Sequence, residues 1–178
     1  SMKRTLLCPQ SFFLCLFFLL AVSPLIFAED ELLKTSEERK WDKMNREAVI
    51  MFVEGDKQSA IYHMNAALDY AAENFGEESL RRAKALNNLG NFYLQLGKYP
   101  EASGYYEEAI RVEKIVLGDN DPFLAGTLFN LAMVHAMQKN DKKAKGLLQG
   151  ALDIYHRKEK PDKDAIQKIE AVMGQLKA

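Results

Sequence analysis

The chain has 178 residues, 48% of them apolar, with 24 basic against 25 acidic side chains and a formal net charge of −1. A balance this close to neutral excludes a general nucleic-acid binder, which needs a positive surplus to neutralise phosphates. Both cysteines, Cys8 and Cys15, fall within the first 28 residues, so disulfides, iron–sulfur clusters, thiolate zinc sites and cysteine nucleophiles are excluded from all that follows.

Residues 1–28 carry Lys3 and Arg4 and no acid, and residues 11–28 carry no charge. A basic start, an apolar run from Phe12 to Leu20, then Pro24 and the small Ala28 ahead of Glu29-Asp30-Glu31 is the order of a secretory signal, with cleavage expected after Ala28 and export to a periplasm or the exterior. An uncleaved anchor is the competing reading, because Phe12 to Ala28 approaches the length of a membrane span; only then would the chain touch a membrane. Leu7 and Leu14, which precede the two cysteines, argue against lipidation. Beyond residue 28 there are 22 basic and 25 acidic side chains. Residues 29–35 are expected to be a flexible lead-in, and Thr35-Ser36-Glu37-Glu38 reads as a capping box that opens the first helix. Residues 36–178 are long enough to form one domain without metal or disulfide.

Self-comparison finds the same pattern three times, without gaps, from Trp41, Ala83 and Ala125, 42 residues apart. The eighth positions are Ala48, Gly90 and Ala132, the twentieth Ala60, Ala102 and Ala144, and the twenty-seventh Ala67, Ala109 and Ala151. Between them the period is helical. Leu86, Leu89, Gly90, Tyr93 and Leu94 share one helix face; Gly97 suits a left-handed helix end, Pro100 the first turn of the next helix, and Ala102, Tyr105, Tyr106, Ala109, Ile110 and Val112 mark that second helix. Each repeat (41–82, 83–124, 125–166) is thus a helix, a tight turn and a helix, the small residues allowing the pair to approach closely. A fourth unit begins and stops: Pro161 or Asp162 opens a helix over 162–178 whose stripe is Ala165, Ile166, Ile169, Val172 and Leu176, a terminal cap for the last apolar face.

With Leu86, Leu89, Gly90, Tyr93, Gly97, Ala102, Tyr106 and Ala109 in the second repeat and Leu128, Leu131, Ala132, Ala144, Leu148 and Ala151 in the third, the sequence resembles the tetratricopeptide repeat. The first repeat is weaker, since Glu47 stands at the usual leucine position. The eight residues beyond the usual 34 fall between repeats, in Asn74 to Ser79 and Leu117 to Pro122, as in the kinesin light chain subtype. The resemblance implies an all-α fold, a right-handed α-solenoid of three helix-turn-helix repeats plus a C-terminal capping helix. It also implies a concave groove that takes a peptide or protein ligand.

The sequence offers little chemistry. His135 takes the place of Tyr93 and reads as a packed, hydrogen-bonded core residue, while His63 and His156 read as exposed on second helices. No HExxH helix, phosphate loop or nucleophile elbow is present; Gly90 and Gly97 are two residues too far apart for a phosphate loop, and Asp119 and Asp121 read as a solvated turn. No catalytic residues, no metal and no cofactor are expected, and the chain is not read as an enzyme. Gly146 and Gly150 are costly inside a helix and leave open a close contact with a second copy, hence a homodimer.

The first-helix positions not consumed by the core should line the groove. They are Asn45, Arg46, Val49 and Phe52; Lys84, Asn87, Asn88, Asn91 and Gln95; and Phe129, Asn130, Met133 and Met137. An asparagine offers both a donor and an acceptor, so this amide-rich lining suits the backbone of an extended peptide. Only Arg46 and Lys84 could meet a free carboxylate, too few for the clamp of chaperone-binding relatives. The expected function is an exported, non-catalytic interaction module that binds through this groove. The alternative is an assembly subunit that packs through its convex face or terminal helix.

Overall fold

A computed structural model describes residues 33–176. The expected secretory segment and its expected cleavage point after Ala28, residues 29–32 and the last two residues lie outside the described part. The chain divides into two compact units, residues 1–40 and 41–178. In the first, the capping box is formed: Glu38 N donates to Thr35 Oγ1 at 3.2 Å and Thr35 N donates to Glu38 Oε2 at 2.8 Å, so two orphan amides of the helix start are satisfied reciprocally.

Among the described residues there are seven helices and no strand: α1 (Ser36–Glu54), α2 (Lys57–Phe75), α3 (Leu80–Gln95), α4 (Tyr99–Leu117), α5 (Pro122–Met137), α6 (Asp141–His156) and α7 (Lys163–Gln175). α2, α4 and α6 begin at Lys57, Tyr99 and Asp141, each 42 residues after the last. The tight turns keep the same register: Gly55, Gly97 and Lys139, also 42 apart, all take positive φ, at 107°, 71° and 61°. A side chain is strained there, so Lys139 shows that the third turn is dictated by the repeat and not by its own residue. Each later helix start carries its own cap, with Asp56, Ser79, Asp121, Asn140 and Asp162 accepting backbone N–H groups. α4 instead begins with Pro100 in its first turn.

Within the second unit, α3 packs on α4 and α5 on α6 as hairpins, and α2, α4 and α6 pack on α3, α5 and α7 of the following repeat. This is an α-solenoid. The recurring alanines are buried, as are Gly90 and the larger Met64, Leu89, Tyr106, Leu131 and Leu148. The eighth-position small residue has a sharper role in the second repeat than mere close approach. A Cβ on Gly90 would lie 2.7 Å from the Tyr106 ring, whereas the first and third repeats put Met64 and Leu148 at the position of Tyr106 and keep alanine opposite. Trp41 is buried at the start of the first core, its Nε1 donating to Ala67 O at 3.0 Å.

The two edges of the repeat stack are polar. On α1, Lys43 and Glu47 form an exposed ion pair of 3.8 Å at the positions where Ala85 and Leu89 are buried on α3; this accounts for the leucine position missing in the first repeat. At the other end α7 turns Ile166, Ile169, Val172, Met173 and Leu176 to the core of the third repeat and leaves Gln167, Glu170 and Gly174 exposed. A helix with one apolar face and one polar face is how an open stack ends without an exposed apolar surface.

Candidate functional site

The first helices α1, α3 and α5 carry their asparagines on one shared face, and the side chains meet across repeats. Asn88 Nδ2 donates to Asn45 Oδ1 at 2.8 Å. Asn91 Nδ2 donates to Asn87 Oδ1 at 3.2 Å, and Asn130 Nδ2 reaches Asn87 Oδ1 and Asn91 Oδ1 at 3.5 and 3.4 Å. Asn87 Nδ2 in turn donates to Thr127 Oγ1 at 2.5 Å, and Tyr106, its phenol pushed up in pKa by burial, donates to Asn91 Oδ1 at 2.6 Å. The result is a ladder of carboxamides in which the free positions are few: Asn88 Oδ1 and Asn130 Oδ1 remain as acceptors, one repeat apart, and Asn45 Nδ2 as a donor.

Two hollows flank this ladder. One, of about 230 Å³, is lined by Asn45, Lys84, Asn87, Asn88 and Phe123, and the other, of about 250 Å³, by Gly126, Phe129, Asn130, Tyr155, Lys168 and neighbours. Lys168 Nζ stands 5.1 Å from the centre of the Phe129 ring, within range of a cation–π contact. Of the expected lining, Asn45, Lys84, Asn87, Asn88, Phe129 and Asn130 are therefore brought to the hollows. Asn91 is half-buried and engaged in the ladder, while Arg46, Gln95 and Met133 line neither hollow, and Met137 is exposed. Phe52 is a correction: it lies in the core, 2% exposed, its ring stacked parallel on Phe92 at 4.0 Å. The position that looks free on a helical wheel is filled because the next repeat offers an aromatic partner. Phe123 and Lys168 were not singled out by sequence reasoning. Phe123 comes directly after the inter-repeat loop Leu117 to Pro122, and Lys168 belongs to a helix read only as a cap.

His135 is buried as expected but neither ring nitrogen has a hydrogen-bond partner, and burial depresses its pKa. His63 is exposed and edge-on to Tyr62, and His156 is exposed in the last turn of α6. Asp121 caps α5 and Asp119 lies 3.7 Å from Lys114. No cluster of three metal-binding side chains occurs among the described residues, and none of their helices is long and apolar enough to cross a membrane. Near the helix ends, Arg82 and Arg111 converge on Glu108 at 3.0 and 2.8 Å and hold its carboxyl down at about 2.

Stacked helical hairpins of fixed period, with small residues at the crossings and a polar inner face, define a class of repeat scaffold. Consistent with that class, the tetratricopeptide repeat model matches residues 43–115 and 81–157, more than half the chain. The chain belongs to the tetratricopeptide repeat family, whose repeats mediate protein–protein interaction and are generally scaffolds. It is similar to Protein KINESIN LIGHT CHAIN-RELATED 1 of Arabidopsis thaliana, 29% identical over 110 residues, 62% of this chain and 18% of that protein. It is also similar to Response regulator aspartate phosphatase A of Bacillus subtilis (strain 168), 30% identical over 97 residues, 54% of this chain and 24% of that one. Among solved structures, BtubC (BKLC) from P. vanneervenii superposes with a TM-score of 0.72 at 25% identity, covering 84% of this chain and 60% of that chain. The N-terminal domain of stress-induced protein-1 (STI-1) from C. elegans shares the fold at a TM-score of 0.60 and 14% identity, covering 78% and 98%. The chain spans less than a quarter of the length of these two curated relatives.

Proposed function

We propose that the chain is an exported, non-catalytic interaction module that holds an extended segment of a protein partner along the α1, α3 and α5 face. The observation that carries this reading is the pair of unengaged carboxamide oxygens, Asn88 Oδ1 and Asn130 Oδ1, at the same position of successive repeats. They can accept two backbone N–H groups from one extended strand without dictating its side chains. The hollows floored by Phe123 and Phe129 would take apolar side chains beside that strand, with Lys84 and Lys168 favouring an acidic neighbour. The export part of the reading rests on residues 1–28 alone, and a chain recovered outside the cytoplasm of a secretion-competent bacterial host should begin at Glu29.

The test is retention of a degenerate octapeptide library by the immobilised full chain, beside an Asn88→Ala/Asn130→Ala variant with an unchanged helical spectrum. Retention about tenfold lower in the variant is expected, the worth of one or two hydrogen bonds; equal retention by both, or none by either, contradicts the groove. A second reading, an assembly subunit, has in its favour the exposed Val53 and Tyr62 at 78% and 73%, and Gly146, where a Cβ would meet nothing in the chain. Sedimentation showing self-association that Val53→Ser/Tyr62→Ser abolishes would favour it.

A further inference from the structure

Behind the ladder lies a buried carboxyl group that the binding reading does not use. Glu113 on α4 is fully buried and packs at the junction of the second and third repeats. Thr127 Oγ1 on α5 donates to its Oε1 at 2.8 Å, and its Oε2 has no partner. Thr127 has one hydroxyl proton. Directed at Glu113, it leaves only lone pairs facing Asn87, so Asn87 has to present Nδ2 to Thr127 and turn Oδ1 toward Asn91 and Asn130. Asn130 then spends its Nδ2 on Asn87 and Asn91 and keeps Oδ1 outward as the free acceptor.

We infer that Glu113 and Thr127 are positioning residues for the groove: the proton on Glu113 sets which way the Asn87 and Asn130 carboxamides face, and so whether the groove offers an acceptor or a donor at Asn130. With Glu113 ionised, the chain of donors runs as seen. With Glu113 protonated at Oε1, its own O–H donates to Thr127, the Thr127 proton is released to Phe123 O at 3.4 Å or toward Asn87, and the Asn87 carboxamide is free to turn. Asn91 and Asn130 then follow, because both aim Nδ2 at Asn87 and two Nδ2 groups cannot face each other; Asn91 comes to present Nδ2 to the Tyr106 hydroxyl, which accepts instead of donating. Burial pushes the Glu113 carboxyl up to about 7, with a smaller push from Asp121 at the start of α5. The cations on α3 are otherwise placed: Arg81 lies over the Phe75 ring, Arg82 is held by Glu77 and Glu108, and Lys84 extends toward the Phe123 ring.

The inference rests on the groove reading only for its consequence in binding, and the test separates the two. In the full chain, the Asn87 side-chain amide and the Thr127 methyl resonances should move together between pH 5 and 9, with a common midpoint near 7. Glu113→Gln and Thr127→Val should abolish the movement of the Asn87 amide, and Thr127→Ser, which keeps the hydroxyl but carries no methyl, should restore that amide movement. Resonances that stay fixed in the wild type, or move equally in Glu113→Gln, overturn the relay. If Glu113→Gln does not fold, the Thr127→Val and Thr127→Ser pair decides alone. Retention of the octapeptide library should fall on the order of tenfold from pH 8 to pH 6, and equal retention at both pH values with a titrating Asn87 overturns the coupling to binding. A wild type that retains no peptide at either pH defeats the groove reading, while the resonances still decide the relay.

Discussion

The two junctions between repeats are built on the same positions with opposite chemistry. Where the first repeat meets the second, the thirty-first and third positions are Ala71 and Ala85, both fully buried, and the Phe52 and Phe92 rings stack beside them. Where the second meets the third, the same positions are Glu113 and Thr127, joined by a hydrogen bond and continued into the groove through Asn87. Since an alanine pair closes the first junction, the solenoid does not need a carboxylate to stack. A buried acid with one oxygen unpartnered costs stability, and its hydrogen bond to Thr127 makes it continuous with the asparagine ladder.

The largest expected effect breaks the apolar junction. Phe92→Ala removes one ring of the stacked pair and opens a cavity, and chemical denaturation should show a loss of about 3–5 kcal/mol. The next sharpens the polar one. The folded pKa of Glu113 is raised above the ordinary 4.5 to about 7, so the folded state holds the proton longer than the unfolded chain. Its penalty is absent below pH 4.5, grows as pH rises, and is complete above about pH 7. Glu113→Gln should therefore be more stable than wild type by up to about 3 kcal/mol at pH 8 and by nothing at pH 4. Smaller again is a change inside the second repeat that leaves both junctions alone. Gly90→Ala gains helix propensity but drives a Cβ into the Tyr106 ring, so thermal denaturation should show a net loss of about 1–2 kcal/mol.

The repeat period was legible because it is written in small residues at crossings, glycines at two of the three turns and apolar positions at helical spacing. Lys139 shows the reach of that register, since it adopts the turn conformation of Gly55 and Gly97 without being glycine. The shared asparagine face was legible, but the aromatic lining of the hollows beside it was not. Phe52 reads as a free position and is buried because Phe92 stacks on it, a contact that depends on the distance between repeats. Phe123 stands just past the inter-repeat loop with no signal of its own, and lines a hollow because Asp121 caps α5 two residues earlier. Glu113 carries no signal of its own: an acid between Arg111 and Lys114 on a second helix looks like one of a run of exposed charges until Thr127, fourteen residues on, is seen to be its partner.

Glu113 and Thr127 are joined as one buried unit where the first junction has two independent alanines. A double-mutant cycle of Glu113→Gln and Thr127→Val, read by equilibrium denaturation at pH 8, tests it most directly. A coupling of about 1–3 kcal/mol is predicted, whereas stability changes that add within about 0.5 kcal/mol would contradict it.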